Sequence, residues 1–545
     1  MSAAHLTADV LVIGSGPSGA ALSWRLASQG ADVLCLEQGD WMTADDLPKS
    51  HEDWDARGRH GWNPSPGKRR DPVDYPVTNL GADPVDAYVY NAVGGSANGY
   101  GGHFWRLVPS DFRTKTLDGF GVDWPISYDE LAPYYDLNER ELGVSGLAGD
   151  PTAPPRTAPP LPPADLGRLG RRWIEGFERL GWYWWPHDQA IVTRPYRDRG
   201  VCTNRGFCTL GCPNGALSTP GNTYWPAAFQ HGARLQTRAR VREVLVGADG
   251  RATGALYYDG DGELREARAK VVVICANGIG TPRLLLMSRS PAHPDGLANS
   301  SGLVGRNLMV HVQSVALGRF DDHLDTFKGA RGSVIGSRHF YETDPARDFK
   351  RGFILSAMRG NSPLNIALGG APWGADHHGA VERAVGHDGA VWVCGDDAPE
   401  EVNRVELDDD KLDAWGLPGV RTHYRLSDNS KRIGQFGLER AKELLSAAGA
   451  RDVIDTGLSP ILGWHLLGTA RMGHDPATSV VDASNRAHDV DNLYVVDGSS
   501  MPTGGSINPT NTLQALALRT ADQIWSRRRE LTETPATTAT AGSAA

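Results

Sequence analysis

Cysteine is scarce in this chain. Six occur in 545 residues, at positions 35, 202, 208, 212, 275 and 394, too few to staple a protein of this length, so a disulfide scaffold is excluded. A basic stripe is also missing. The formal net charge is −10, which leaves no electrostatic footprint for nucleic acid. No apolar run approaches the about 18 residues that a membrane span needs. The first residues, MSAAHLTADVLVIGSG, show neither a charged segment followed by an apolar one nor a twin arginine, and a cytoplasmic protein is expected. Cys202, Cys208 and Cys212 cluster in CTNRGFCTLGC. Their spacing matches no common zinc or iron–sulfur pattern and no fourth ligand sits nearby, so structural thiols and no metal are expected.

Glycine and proline, by contrast, are plentiful at 65 and 35 residues. With roughly 150 residues per domain the length suits two to four units, and the composition suits a loop-rich α/β enzyme. Residues 7–13 (TADVLVI) form an apolar run of strand length. A glycine loop, GSGPSGA, follows, and then SGAALSWRLASQG at helical spacing, closed by Gly30 as a C-terminal cap. ADVLCLEQGD is a second buried strand, which completes a βαβ unit. Residues 239–280 read as three strands joined by turns, and 281–290 as a helix with Pro282 near its first turn. The stretch from about 315 to 460 alternates short apolar runs with charged turns, the pattern of a separate antiparallel sheet with a closing helix at KRIGQFGLERAKELLSAAG. A helix at LQALALRTADQIWSRR ends the ordered chain, and 531–545 should be a disordered tail.

Gly14, Gly16 and Gly19 make a G-x-G-x-x-G loop. The first glycine permits a tight turn, the second lets backbone approach a pyrophosphate, and the third lets the helix pack on the strand. The helix start, where Pro17 fixes the first turn and Ser18 brings the first N–H, offers donors to the anion. Glu37 closes the second strand at the distance of a ribose ligand and disfavours a 2′-phosphate. The loop alone does not separate NAD from FAD.

Four pieces resemble the glucose–methanol–choline (GMC) flavoprotein family. They are the glycine loop with Glu37, NAVGGSANGYGGHFWRLVPSDF, ARAKVVVICANGIGTPRLLLMSR with GLVGRNLMVH, and GWHLLGTARMG with DNLYVVDGSSMPTGGSINPTNTLQALA. The resemblance implies FAD and a GMC fold, a Rossmann-type domain beside a substrate domain on a mostly antiparallel sheet. It divides the chain into an FAD-binding part (1–45, 85–125, 195–312, 462–530), a substrate part (126–194, 313–461) and an extended loop (46–84). It implies cofactor contacts at Gly94, Gly95, Ser96, Asn98, Gly99, Val241, Ala276, Asp497, Gly498, Pro509 and Thr510. Some relatives bind flavin covalently through a histidine where this chain has Gly99, so non-covalent FAD is expected, with His103 too far along to substitute. The catalytic pair maps to His465 and Asn508. A base of near-neutral pKa takes the hydroxyl proton while hydride passes to flavin N5, and an amide hydrogen-bonds the carbinol oxygen. His311 is expected to be structural, and His377 and His378 to lie in a solvated loop.

WRLVPSDF, DWPISYDELAPYY, LGVSGLAGDP and WPHDQAIVTRPY are similar to pyranose oxidases and glycoside 3-oxidases. The expected substrate is therefore a sugar or glycoside, oxidised at C3 or C2, with oxygen, a quinone or another carrier as electron acceptor. Sixteen tryptophans are compatible with sugar stacking. A choline or small-alcohol oxidase and a gluconate-type dehydrogenase are the alternatives, and the oligomeric state is open.

Overall fold

A computed structural model of the chain describes residues 6–42, 46–47, 74–206, 208–209, 211–330, 334–459 and 461–529. The expected tail lies outside them. Strand β1 (Leu6–Ile13), helix α1 (Pro17–Ser28) and strand β2 (Val33–Leu36) form the anticipated βαβ unit, with Gly30 at φ 99° just past the helix. β1 is paired in parallel on both edges, with β2 and with Leu264–Ile274. Residues Val10–Ile13 are buried on both faces, which is why this strand is continuously apolar rather than alternating.

The seven-stranded sheet runs Arg234–Gln236, β2, β1, Leu264–Ile274, Ala252–Tyr258, Arg240–Val246, with Leu493–Val495 beside the fourth. The long Leu264–Ile274 strand serves two neighbours. Leu264–Arg268 pairs antiparallel with Ala252–Tyr258, whereas Val272–Ile274 pairs in parallel with Leu493–Val495. Three parallel strands thus end together at Ile13, Ile274 and Val495. The next residues, Gly14, Cys275–Ala276 and Asp497, stand at one edge, where open α/β sheets bind ligands.

The second sheet has six strands, ordered Asp452–Leu458, Val312–Arg319, Asp388–Gly395, Phe353–Arg359, Ile335–Ser337 and Trp185–Pro186. Its period of two separates two cores. Val312, Ala316, Val391, Val393, Phe353 and Leu355 face the closing helix Asp428–Ala447. Trp392, Cys394 and Ile354, from alternate positions, join the core of the first sheet. The helix lies close because Gly434 and Gly437 carry no side chain. A Cβ at Gly437 would stand 2.5 Å from Val393 Cγ1.

The segment 126–194 divides in its packing. Helix Tyr128–Leu142 starts at a Ser127–Glu130 capping box and lies on the C-terminal helix Thr510–Ser526, where Tyr135 Oη meets Thr512 Oγ1 at 2.7 Å. Helix Gly167–Leu180 instead puts Trp173 and Phe177 into the core under the second sheet. One helix differs from expectation. It spans Asn277–Met287, so Pro282 is its sixth residue. Asn277, at φ 71°, starts it early by accepting the Ile279 and Gly280 N–H groups on its side chain, a capping role that proline position does not report.

Candidate active site

One cavity of about 520 Å³ runs between the two sheets. Its first end is made of backbone. Gly14, Gly16, Pro17 and Ser18 line it. α1 begins at Gly16 without a side-chain cap, so its first N–H groups are available to an anion. A Cβ on Gly16 would meet nothing within 4 Å, whereas one on Gly14 would stand 2.4 Å from Cys275 O and one on Gly19 1.9 Å from Gly14 O. Gly16 faces the open cavity, and Gly14 and Gly19 permit close packing. Glu37 lines the cavity, but its carboxylate already accepts hydrogen bonds. Ser15 N–H and Oγ–H reach Oε2 at 2.9 and 2.6 Å, and Gly39 N–H reaches Oε1 at 2.8 Å. Burial raises its pKa against these donors. Asp497 is held likewise by Asn277 N–H, Thr281 Oγ–H and Ser499 N–H, with burial raising its pKa.

The second end is made of side chains. His465 is buried, and its Nε2 lies 3.1 Å from Asn508 Nδ2. An amide nitrogen only donates, so Nε2 presents its lone pair and the ring proton sits on Nδ1. His465 Nδ1 is 2.7 Å from His311 Nδ1, so His311 accepts that proton's hydrogen bond and keeps its own proton on Nε2, against Gly504. Burial drives the His465 pKa well below 6.5, helped by the neighbouring His311 and His103 rings, whose protonation would compete with its own. Burial brings His311 to about 4, opposed by the backbone of Gly504 and Gly505. Both imidazoles are neutral at physiological pH, and His465 Nε2 is a ready acceptor. Cys394 lies with them, the three ligand atoms within 4.8 Å of one another. Burial pushes its thiol up, and the two Nδ1 atoms are spent on each other, so neither Nδ1 is open to a cation. Asn508 Oδ1 is buried without a partner, an acceptor left for a ligand.

The residues singled out in the sequence fall into two groups. Gly14, Gly16, Pro17, Ser18, Glu37, Gly95, Ser96, Gly99, Val241, Ala276, His465, Asp497, Gly498, Asn508, Pro509 and Thr510 all line the cavity. Gly19, Gly94 and Asn98 stand behind it, a correction for the last two. Asn98 donates to Val93 O at 2.9 Å, and Gly94 N–H donates to Ser15 O at 3.2 Å, so they brace the loop. His311 contacts His465 directly. His103 lines the cavity, 5.7 Å from the Trp392 ring. His377 and His378 begin a short helix away from it, His377 stacked on the exposed Trp373. The cysteine loop abuts the cavity wall. Thr209, between Cys208 and Cys212, lines the cavity and turns its carbonyl toward Gly99. Cys202 and Cys212 pack on a small cluster of Cys208, Ile191, Leu217 and Ala330. Sequence reasoning missed Gln313, Val315, Met358 and Trp392. The alternation His311, Gln313, Val315 was the available signal.

The open crevice, the glycine turn and the neutral base define a dinucleotide-dependent oxidoreductase site. The chain matches the GMC oxidoreductase family over residues 167–313 and 399–517, and an NAD(P)-binding Rossmann-like domain over 12–66. It is 45% identical to 2-methyl-1,2-propanediol dehydrogenase of Mycolicibacterium austroafricanum over 95% of each chain. It is 31% identical to the fructose dehydrogenase large subunit of Gluconobacter japonicus, covering 96% of this chain and 99% of that one. The solved structure of pyridoxine 4-oxidase from Mesorbium loti shares the fold at TM-score 0.65 and 19% identity, over 95% and 99% of the two chains. The protein belongs to the GMC oxidoreductases. It is an enzyme acting on CH–OH groups, and its cofactor is FAD.

Proposed function

We propose that the chain oxidises a secondary hydroxyl of a sugar or glycoside, at C3 or C2, to the keto sugar. The observation that carries this is the buried pair His465 and Asn508 at the side-chain end of the cavity that Gly14–Ser18 opens. Bound FAD supplies the two-electron acceptor for the carbinol C–H. The Gly14–Ser18 turn would hold its pyrophosphate, with Glu37 and Val241 toward the adenosine and Asp497 and Gly498 along the ribityl chain. The substrate hydroxyl displaces the Asn508 amide from His465 Nε2. His465 then takes the hydroxyl proton on Nε2 while its Nδ1–H stays bonded to His311, and Asn508 Nδ2 donates to the oxygen as negative charge develops. Trp392 and Trp464 line the cavity, and flat faces suit a pyranose ring.

A second reading, a small diol, is favoured by the 45% identity to a propanediol dehydrogenase. A quaternary ammonium alcohol is disfavoured. The carboxylates lining the cavity among the described residues, Glu37 and Asp497, are at the cofactor end and already bonded. Anaerobic mixing of the FAD-loaded enzyme with glucosides, free pyranoses, diols and choline tests the reading. A glucoside or pyranose should bleach the flavin band, and bleaching by diols alone would replace the sugar with the second reading. Repeating the reaction with air or a quinone separates the two electron acceptors.

A further inference from the structure

We propose that Gln313 is a substrate-recognition residue, so that the site selects alcohols carrying a second oxygen close to the reacting carbinol. This rests on the proposed CH–OH oxidation at His465. Gln313 lies two residues beyond His311 on the same face, roughly 6–7 Å along the strand. Its partner across the ladder is Cys394, which stands within 4.8 Å of the ring nitrogens of the base pair. Its side chain lines the cavity and is buried, with 6% exposure.

The amide's orientation is fixed by chemistry. Trp392 Nε1 only donates, and it lies 3.2 Å from Gln313 Oε1. The carbonyl therefore faces the indole, and Nε2 is the free end. That Nε2 is buried without a hydrogen-bond partner. A buried donor left unsatisfied is costly, and a hydroxyl or ether oxygen of the ligand satisfies it. At the other side of the base, Asn508 Oδ1 is a buried acceptor without a partner. A donor and an acceptor beside one base are complementary to a molecule with at least two oxygens. A mono-alcohol would leave Nε2 unsatisfied, and sites built to bond a polar group reject analogues that lack it. The apolar Val315, next on the same face, offers no competing acceptor from its side chain.

The test uses two matched pairs with the FAD-loaded enzyme under anaerobic conditions. One is 2-methyl-1,2-propanediol against 2-methyl-1-propanol, and the other is methyl β-D-glucopyranoside against cyclohexanol. The wild type should bleach faster with the oxygen-rich member of at least one pair, by about tenfold or more. Gln313→Leu should slow that member by about tenfold or more and the mono-alcohol by less than about threefold. FAD content and the visible spectrum should stay the same. Trp392→Phe, which frees the amide to turn, should give a smaller loss in the same direction, and it serves if the leucine variant does not fold. A Gln313→Leu protein with an undiminished preference overturns the inference. So does equal slowing of both members, or loss of FAD, which would assign the amide to the cofactor. If the wild type bleaches both members equally, the inference falls while the oxidation reading stands. If it bleaches with neither pair nor with any other alcohol, both fall.

Discussion

The parallel sheet meets the cavity with backbone, and the antiparallel sheet meets it with side chains. Along the first, the contacts come from a glycine turn, a helix start and strand ends. A substitution there acts by adding a Cβ where another backbone already stands. Along the second, His311, Gln313 and Trp392 act through atoms that any conservative replacement would alter. The two edges fail differently: the first should lose its cofactor and the second its chemistry or its choice of substrate.

The largest expected effect breaks the backbone edge. Gly19→Val places a Cβ 1.9 Å from Gly14 O. The purified protein should contain less than about a tenth of the wild-type flavin, read from visible absorbance, while its circular dichroism stays folded. Retention of full flavin would show that the turn tolerates separation from α1. On the other edge, His465→Ala should keep FAD and lose about 10²- to 10⁴-fold in turnover, the usual worth of a general base. Turnover near wild type would remove His465 from the chemistry.

His311→Leu should lower kcat by about tenfold with little change in KM, because the imidazolium formed at His465 loses its Nδ1 acceptor. The sign of the pH effect follows. His465 is held well below 6.5, so the wild-type rate should stay level as pH falls through 6.5 and decline only below it. His311 is one of the neighbours that lower the His465 pKa, so its removal moves that decline to higher pH. His311→Asn, which keeps an acceptor near the Nδ1 position, should restore most of the rate. A leucine variant with wild-type kcat and pH profile would make His311 a packing residue.

The fourth prediction concerns attachment. Gly99 offers no side chain, and a Cβ there would stand 2.8 Å from Thr209 O, so acid precipitation should release all the flavin. Flavin remaining on the protein by mass spectrometry would point to another residue. The smallest effect lies away from the cavity. Gly437→Ala presses on Val393 and should destabilise by about 1–3 kcal/mol, seen as a lowered denaturation midpoint with unchanged flavin content.

The cofactor edge was legible because each of its parts is local. The run at Val10–Ile13, the turn at Gly14, the cap at Gly30 and the acid at Glu37 follow one another within one βαβ unit. Even so, the carboxylate of Glu37 is occupied by Ser15 and Gly39, and Asn98 braces a loop instead of lining the cavity. Strand existence at the antiparallel sheet was legible as alternation. Which of the two alternating sets faced the cavity was harder to read, since both faces are covered, one by the closing helix and one by the first sheet, and only His311 and Gln313 marked the cavity side.

By itself the sequence determined a Rossmann-type crevice, because glycine turns and strand–helix periodicity are short-range consequences of backbone sterics; the flavoprotein family and the candidate pair His465 and Asn508 came from the resemblance of its motifs to a known family. The tertiary structure alone decided that His311 meets His465 across 154 residues and that Trp392 orients Gln313 across 79. Those contacts depend on strand register and on two sheets closing over one cavity, and a hydrogen bond between residues so far apart in the chain has no local signature.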